Sequence, residues 1–482
     1  MKPVSSGVLL LAALAACPGA GDDSARDART LAWDVAGSSD ASGEGDGDSG
    51  TLAAADGGMR ADVGDPDDVG MDVAGADAGS DSSRIWVYVM AGQSNMVGLG
   101  KSADLTVAQA APVANAVIYY DSCVHPNTHT KRWLPLGPGF GALDDRFGPE
   151  LGFGRRWREL YPDRALAIIK VAEGGTALHD RWKARTGDLY QLLLSEAQAQ
   201  LADLSARGRP QLAGFLWMQG ESDAVEAAAA DLYGQNLTEL VSDLRSELGV
   251  PFLPTVAGLI AQSPLWPYSG TVRNGIALVS VQLGQMEVVE TSDLTTWLDD
   301  AAHYDSASTL ALGRRFADAA AGMLATRWTF PGSFSPAQGD SSWLYADRDG
   351  AQQSLLTFDV AQQQWSGGAP GLVIGDGWMH PGATHQAELE WWAPFAGTLA
   401  VTLRADAADP RGDGTAVEVA SASGLVWGPQ GIAAGNPASH GFSVEVKQGD
   451  VLYFRTSSGP AQNPLYDATH WQIELTMSGN EL

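Results

Sequence analysis

Two contrasting textures predict an α/β domain built on a parallel sheet, followed by an all-β sandwich. From Ile85 to about Trp328, apolar runs alternate with helical stripes. After Trp328 no long helical stripe recurs, and Gly, Pro and turn dipeptides separate short runs instead. Strands buried on both faces read as near-continuous apolar runs, and intervening helices cover the sheet on each side, giving three layers. Closely spaced turns between short runs give antiparallel strands in a sandwich of jelly-roll type. A chain of 482 residues has room for both units plus tails.

The N-terminus reads as an address and a tether. Lys2 precedes the short apolar run Val8 to Ala13, too short to span a bilayer, and the pattern is that of a secretory signal over residues 1–17. Leu14-Ala15-Ala16-Cys17 resembles the lipobox of bacterial lipoproteins, which implies lipidation of Cys17 and a membrane contact made only through that anchor. Pro18 stands where an inner-membrane retention signal would place aspartate, so outer-membrane or cell-surface display is expected. Residues 18–84 follow as a linker rich in Gly, Ala, Asp and Ser. From Pro18 to Ser83 roughly sixteen acidic residues face about three arginines, with almost no aromatics. Such a stretch buries too little apolar surface to offset chain entropy, and self-repulsion extends it. The only other cysteine, Cys123, reads as a small buried hydrophobe or loop residue, and no intrachain disulfide is expected.

Residues 85–330 carry the α/β pattern. Strand-like runs occur at Ile85–Ala91, Ala165–Ala172, Ala213–Met218, Phe252–Gly258 and Met286–Thr291. In Asp188–Ala206, residues Leu189, Leu192, Leu193, Ala197, Leu201 and Leu204 form one apolar stripe of a helix. Ala224–Leu248, Thr271–Gln282 and Ser306–Ala325 read as further helices. Right-handed crossovers put the loops after each strand along one edge of such a sheet, where sites form.

Residues 331–482 carry the sandwich pattern, with runs at Leu389–Trp392, Thr398–Leu403, Ala416–Val419, Phe442–Val446, Val451–Arg455 and Trp471–Thr476. Trp378, Trp391, Trp392, Trp427 and Trp471 either stack on sugars or fill the core. Trp391 and Trp392 must face opposite ways in a strand. Gly412-Asp413-Gly414 and Gly449-Asp450 read as turns, with calcium as a minor reading.

The candidate chemistry lies on the loops of the first unit. Ser94, in Gly92-Gln93-Ser94-Asn95-Met96, follows the first strand at the start of a turn, where unpaired N–H groups can hold an oxyanion. Glu173-Gly174-Gly175-Thr176 follows the second strand, and Gln219-Gly220-Glu221-Ser222-Asp223 the third. Asp300 and His303 stand three apart before the last helix. A serine needs a base to take its proton, and a carboxylate fixes that base's tautomer. His179 is the alternative to His303. Asp300 has a second reading as the cap of the last helix, with Asp299 as the neighbouring carboxylate.

These blocks, with Phe147-Gly148-Pro149-Glu150 and Trp217-Met218, resemble the sialate O-acetylesterase and acetylxylan esterase family of SGNH (GDSL-like) hydrolases over about residues 85–328. The resemblance implies a three-layer α/β/α, flavodoxin-like fold with Ser94 as nucleophile, His303 as general base and Asp300 as its orienting acid. It places the Ser94 and Gly175 N–H groups and the Gln219 side chain around the oxyanion. Gly92, Gln93, Asn95, Gly174 and Glu221 would support those loops, Glu221 by bracing the Gln219 loop through backbone hydrogen bonds. No metal or organic cofactor is implied. Met218 stands where this branch often has histidine, and Gln219 where the wider superfamily has asparagine.

The expected activity is removal of acetyl groups from an acetylated glycan, with xylan ahead of pectin or sialic acid. A surface lipoprotein that binds glycan through an inactive hydrolase domain, and a general esterase or lipase, are the competing readings. The net charge of −29 excludes nucleic acid as a partner, since phosphate neutralisation needs basic surface. Sequence sets no oligomeric state.

Overall fold

A computed structural model describes residues 84–122, 127–459 and 462–478. The signal segment, Cys17, the linker through residue 83 and Cys123 lie outside the described residues. The first unit is a seven-stranded sheet of β1 (Arg84–Gly92), β2 (Ala116–Asp121), β3 (Trp133–Pro135), β4 (Ala165–Ala172), β5 (Arg209–Met218), β6 (Thr255–Gly258) and β7 (Met286–Val289). Their order is β3-β2-β4-β1-β5-β6-β7, and every pairing is parallel except that of the edge strand β3 with β2.

Five of these strands coincide with the apolar runs that the sequence marks as strands. It does not mark β2 and the antiparallel edge β3, because the Ala- and Val-rich stretch before Ala116 blurs the boundary of β2. All nine residues of β1 are buried, as expected for a central strand covered on both faces. Helices α1 (Ser94–Val97), α2 (Pro149–Leu160), α3 (Asp188–Ser205), α4 (Ala227–Glu247), α5 (Ser269–Gln282) and α6 (Ser306–Gly322) accompany the sheet. In α4 the buried side chains Ala230, Tyr233, Leu237, Leu240, Val241 and Leu244 fall at helical spacing, which fixes its inward face.

The described residues from Arg327 onward form two antiparallel sheets of eight and six strands that share one core. Trp343, Trp391 and Trp471 are buried in that core. Trp392 points the other way, edge-on to Phe252 of the first unit at 5.9 Å. Trp427 lies flat against His440 at 5.2 Å. Trp391 and Trp471 are thus core groups and Trp392 an interface group, while Trp378 and Trp427 are half-buried.

This β unit docks on the end of the parallel sheet where the strands begin. Phe395 packs on Trp86 at 5.2 Å, and Arg84 Nη2 donates to Ala396 O at 3.2 Å. Gln448 Nε2 donates to Leu212 O at 2.6 Å, and Ala396 N donates to Gln211 Oε1 at 2.9 Å. Ser94 stands past the other end of β1, roughly 25 Å away at a strand rise of about 3.3 Å per residue. The loops at the strands' carboxyl ends are left clear of the docked unit.

Candidate active site

Strand β1 delivers Ser94 into the crevice between β4 and β5. Gly92 makes the exit feasible: at φ +149°, a Cβ there would lie 2.0 Å from Met218 O, so only glycine lets the strand leave this close to β5. Gln93 N donates to Met218 O at 3.0 Å and ties the turn down. Ser94 is the first residue of α1 and half-buried, so its N–H has no intrahelical acceptor. Gly174 approaches its side chain, since a Cβ at Gly174 would lie 3.6 Å from that of Ser94. Gly175 follows with φ +68°, exposed at the top of β4.

Asp300 and His303 form one local pair. His303 Nδ1 meets Asp300 Oδ2 at 2.5 Å, while Asp300 Oδ1 accepts the N–H of Ala302 at 3.0 Å. The two residues lie on a strand, β9 (Asp300–Tyr304), that forms a short hairpin with β8 (Thr296–Trp297) rather than an open loop. The cap of α6 is Asp305, whose carboxylate accepts the N–H of Ser308 at 2.8 Å. Asp300 is therefore not the helix cap, and it is the carboxylate that meets His303.

Asn95 joins the two halves. Its Nδ2 donates to Glu221 Oε1 at 2.8 Å and to Ala302 O at 3.3 Å, and its Oδ1 accepts the N–H of Tyr304 at 3.1 Å. The peptides on both sides of His303 are thus held by the neighbour of Ser94. Glu221 braces Asn95 through its side chain, and its carbonyl also accepts the N–H of Ala224 at 3.2 Å within the Gln219 loop. It is fully buried, with its Oε2 unpartnered, and burial pushes its carboxyl above the usual range.

Gln219 departs from the expected role. Its side chain is buried, and Nε2 donates to Asp223 Oδ2 at 2.7 Å and to Thr176 O at 2.9 Å. Its Oε1 accepts from the Tyr233 hydroxyl at 3.0 Å. Both amide hydrogens are committed, which leaves none for an oxyanion. Gln219 instead locks the third loop to the second. Asp223 shares that work, accepting the N–H of Leu178 at 2.7 Å and His179 Nδ1 at 2.8 Å. His179 is paired with Asp223, on the second loop rather than on the Asp300 hairpin.

The sequence reading missed Lys170. It lies in the middle of β4, fully buried, and its Nζ donates to Glu150 Oε2 at 2.7 Å and to Val97 O and Phe140 O at 2.8 Å each. Val97 ends the turn that carries Ser94, so the Phe147-Gly148-Pro149-Glu150 block supports that turn through Lys170. A lysine inside an otherwise apolar strand was the available signal. Arg155 and Arg156 serve structure: Arg155 Nη2 donates to Ala111 O at 2.5 Å, and Arg156 Nε to Asp318 Oδ1 at 2.6 Å.

Residues 84–322 match the family model described as SASA, carbohydrate esterase, sialic acid-specific acetylesterase. A probable carbohydrate esterase of Arabidopsis thaliana is 31% identical over 116 residues, which is 24% of this chain and 42% of that relative. The alignment therefore spans less than half of the relative's length. Among solved structures, a protein of Arabidopsis thaliana shares 22% identity with a TM-score of 0.42, covering 49% of this chain and 98% of that one. NanS shares 18% identity with a TM-score of 0.42, covering 50% and 97%. XAC1771, a carbohydrate acetylesterase from Xanthomonas citri, shares 16% identity with a TM-score of 0.36, covering 81% and 78%.

Proposed function

With residues 84–322 falling in the sialic acid-specific acetylesterase family of carbohydrate esterases, we propose that this chain is a carbohydrate O-acetylesterase acting through Ser94, His303 and Asp300. The observation that carries the reading is the Asp300–His303 pair, at 2.5 Å, held beside Ser94 by Asn95. Ser94 Oγ attacks the acetyl carbonyl as His303 takes its proton, and Asp300 stabilises the imidazolium. The N–H groups of Ser94 and Gly175 receive the oxyanion. The His303 proton then passes to the departing sugar oxygen, and the C–O bond to the sugar breaks. Water, deprotonated by His303, attacks acetyl-Ser94; the acyl C–O bond breaks, acetate leaves and the serine hydroxyl is restored. The glycan we propose is an acetylated polysaccharide, xylan first. The polar loops around Ser94, with the exposed side chain of His179, support a sugar leaving group over a long acyl chain.

The test is acetate release by the full chain from acetylated xylan, an O-acetylated sialic acid and an aryl acetate, beside Ser94→Ala. Release from xylan that vanishes in the variant supports the whole reading. Cleavage of the sialic acid ester alone keeps the activity and replaces the glycan. No release from any ester, by folded protein, favours a glycan-binding chain without activity. The same proposal puts the chain at a bacterial cell surface through a lipid on Cys17. Cys17→Ser should move it from the membrane to the soluble fraction, and an unchanged membrane fraction would contradict the anchor.

A further inference from the structure

At the end of the β-sandwich away from the docked unit, no described residue answers a buried carboxylate. Asp467 is 2% exposed, and neither of its carboxyl oxygens has a hydrogen-bond partner among the described residues. It stands just before the last strand, Thr469–Ser478, and faces the turn that follows strand Gly397–Ala407. A Cβ built on Gly412 would lie 3.0 Å from Asp467 Oδ1, so the carboxylate points into that turn. Asp413, in the same turn, brings a second carboxylate, with Asn463 Nδ2 at 3.5 Å from its Oδ2. The guanidinium of Arg411 is committed elsewhere: Nε donates to Asp409 Oδ1 at 2.9 Å, and the group lies 4.0 Å over the Tyr466 ring. Burial, followed by the charge of Asp413, pushes Asp467 up to about 7.

A carboxylate taken out of water needs a proton or a cation. Here Asp467 and Asp413 bring two carboxylates to one turn, an all-oxygen pair of donors. Hard divalent ions take such sets, and flexible turns suit calcium better than magnesium, which demands near-octahedral geometry. We propose that Asp467 and Asp413 bind a calcium ion that ties the turn after Gly397–Ala407 to the segment before Thr469–Ser478. The docking residues Phe395, Ala396 and Gln448 lie beyond the other end of strand Gly397–Ala407, so the ion would set the order of the sandwich's free end without touching Ser94.

The full chain, treated with chelator and desalted, is titrated with calcium chloride by calorimetry at neutral pH, with Asp467→Asn and Asp413→Asn alongside. One saturable site is expected, with a dissociation constant on the order of 10⁻³ M or tighter, weakened about tenfold or more in each variant. Millimolar calcium should raise the unfolding midpoint of the unaltered chain and leave that of Asp467→Asn in place. Absence of saturable uptake overturns the proposal, as does a calcium-induced rise that survives in Asp467→Asn. If a proton rather than calcium answers Asp467, the chelated chain loses stability as pH rises through about 7 and calcium does not restore it. That result also overturns the proposal.

Discussion

The side-chain oxygen of Asn95 accepts the backbone N–H of Tyr304 at 3.1 Å, across 209 positions of sequence. Its amide group grips Ala302 O on the other side of His303. Asn95→Ala removes both grips and the Glu221 bond, freeing the hairpin that carries His303. The expected outcome is a fall in kcat of about 10- to 100-fold with KM little changed, because orientation of the base matters in the transition state. Steady-state kinetics on an aryl acetate measures this. A kcat equal to that of the unaltered chain would refute the positioning role.

Asp300 and Asp299 are neighbours with different expected phenotypes. Asp300→Asn should lower kcat by about 10²- to 10⁴-fold, since an amide favours the wrong tautomer of His303. Asp299→Asn should keep activity within about threefold, because the carboxylate that meets His303 belongs to Asp300. Reversal of the two phenotypes would reassign the acid.

Gln219→Ala separates bracing from oxyanion binding. The account expects a loss of stability of about 1–3 kcal/mol, because Asp223 and Tyr233 lose a buried partner. It expects a smaller effect on kcat in the folded fraction. Chemical denaturation and kcat measured on the same samples decide the point. A large fall in kcat at unchanged stability would restore the oxyanion role.

Glu390 makes the β-sandwich less stable as pH rises to neutral. Burial, followed by the charge of Glu388, raises its carboxyl to about 7, and Glu388 is itself engaged by Arg348 at 3.0 Å and Arg455 at 2.5 Å. A folded-state value above the unfolded one gives stability that is full below about pH 4.5 and lost as pH rises through 7. Glu390→Gln should therefore gain about 1–2 kcal/mol on the unaltered chain between pH 5 and pH 8. Denaturant unfolding across that range tests it, and parallel pH profiles for the two chains would refute it.

The features legible in sequence were the local ones. Ser94 announces itself by a strand run into a glycine-flanked turn, and Asp300 and His303 meet because they are three residues apart. The opposed faces of Trp391 and Trp392 follow from strand alternation alone. What sequence hid was set by distant partners. Asn95 bonds to Tyr304, Gln219 to Asp223 and Tyr233, and Lys170 to Glu150 and Val97, and none of these choices is encoded in local spacing. Gln219 misled because an amide near the Ser94 turn has the right chemistry for a donor. Only the packed structure reveals that its hydrogens are already used.

The central claim is that Ser94 is the nucleophile of an acetylesterase, and covalent labelling tests it most directly. The full chain is incubated with an organophosphate such as paraoxon, then digested and mapped by mass spectrometry while acetate release is followed. The account expects one phosphoryl group, on Ser94, with loss of activity in proportion to labelling. Activity that persists when Ser94 is fully labelled, or inhibition mapped to another residue, would contradict it.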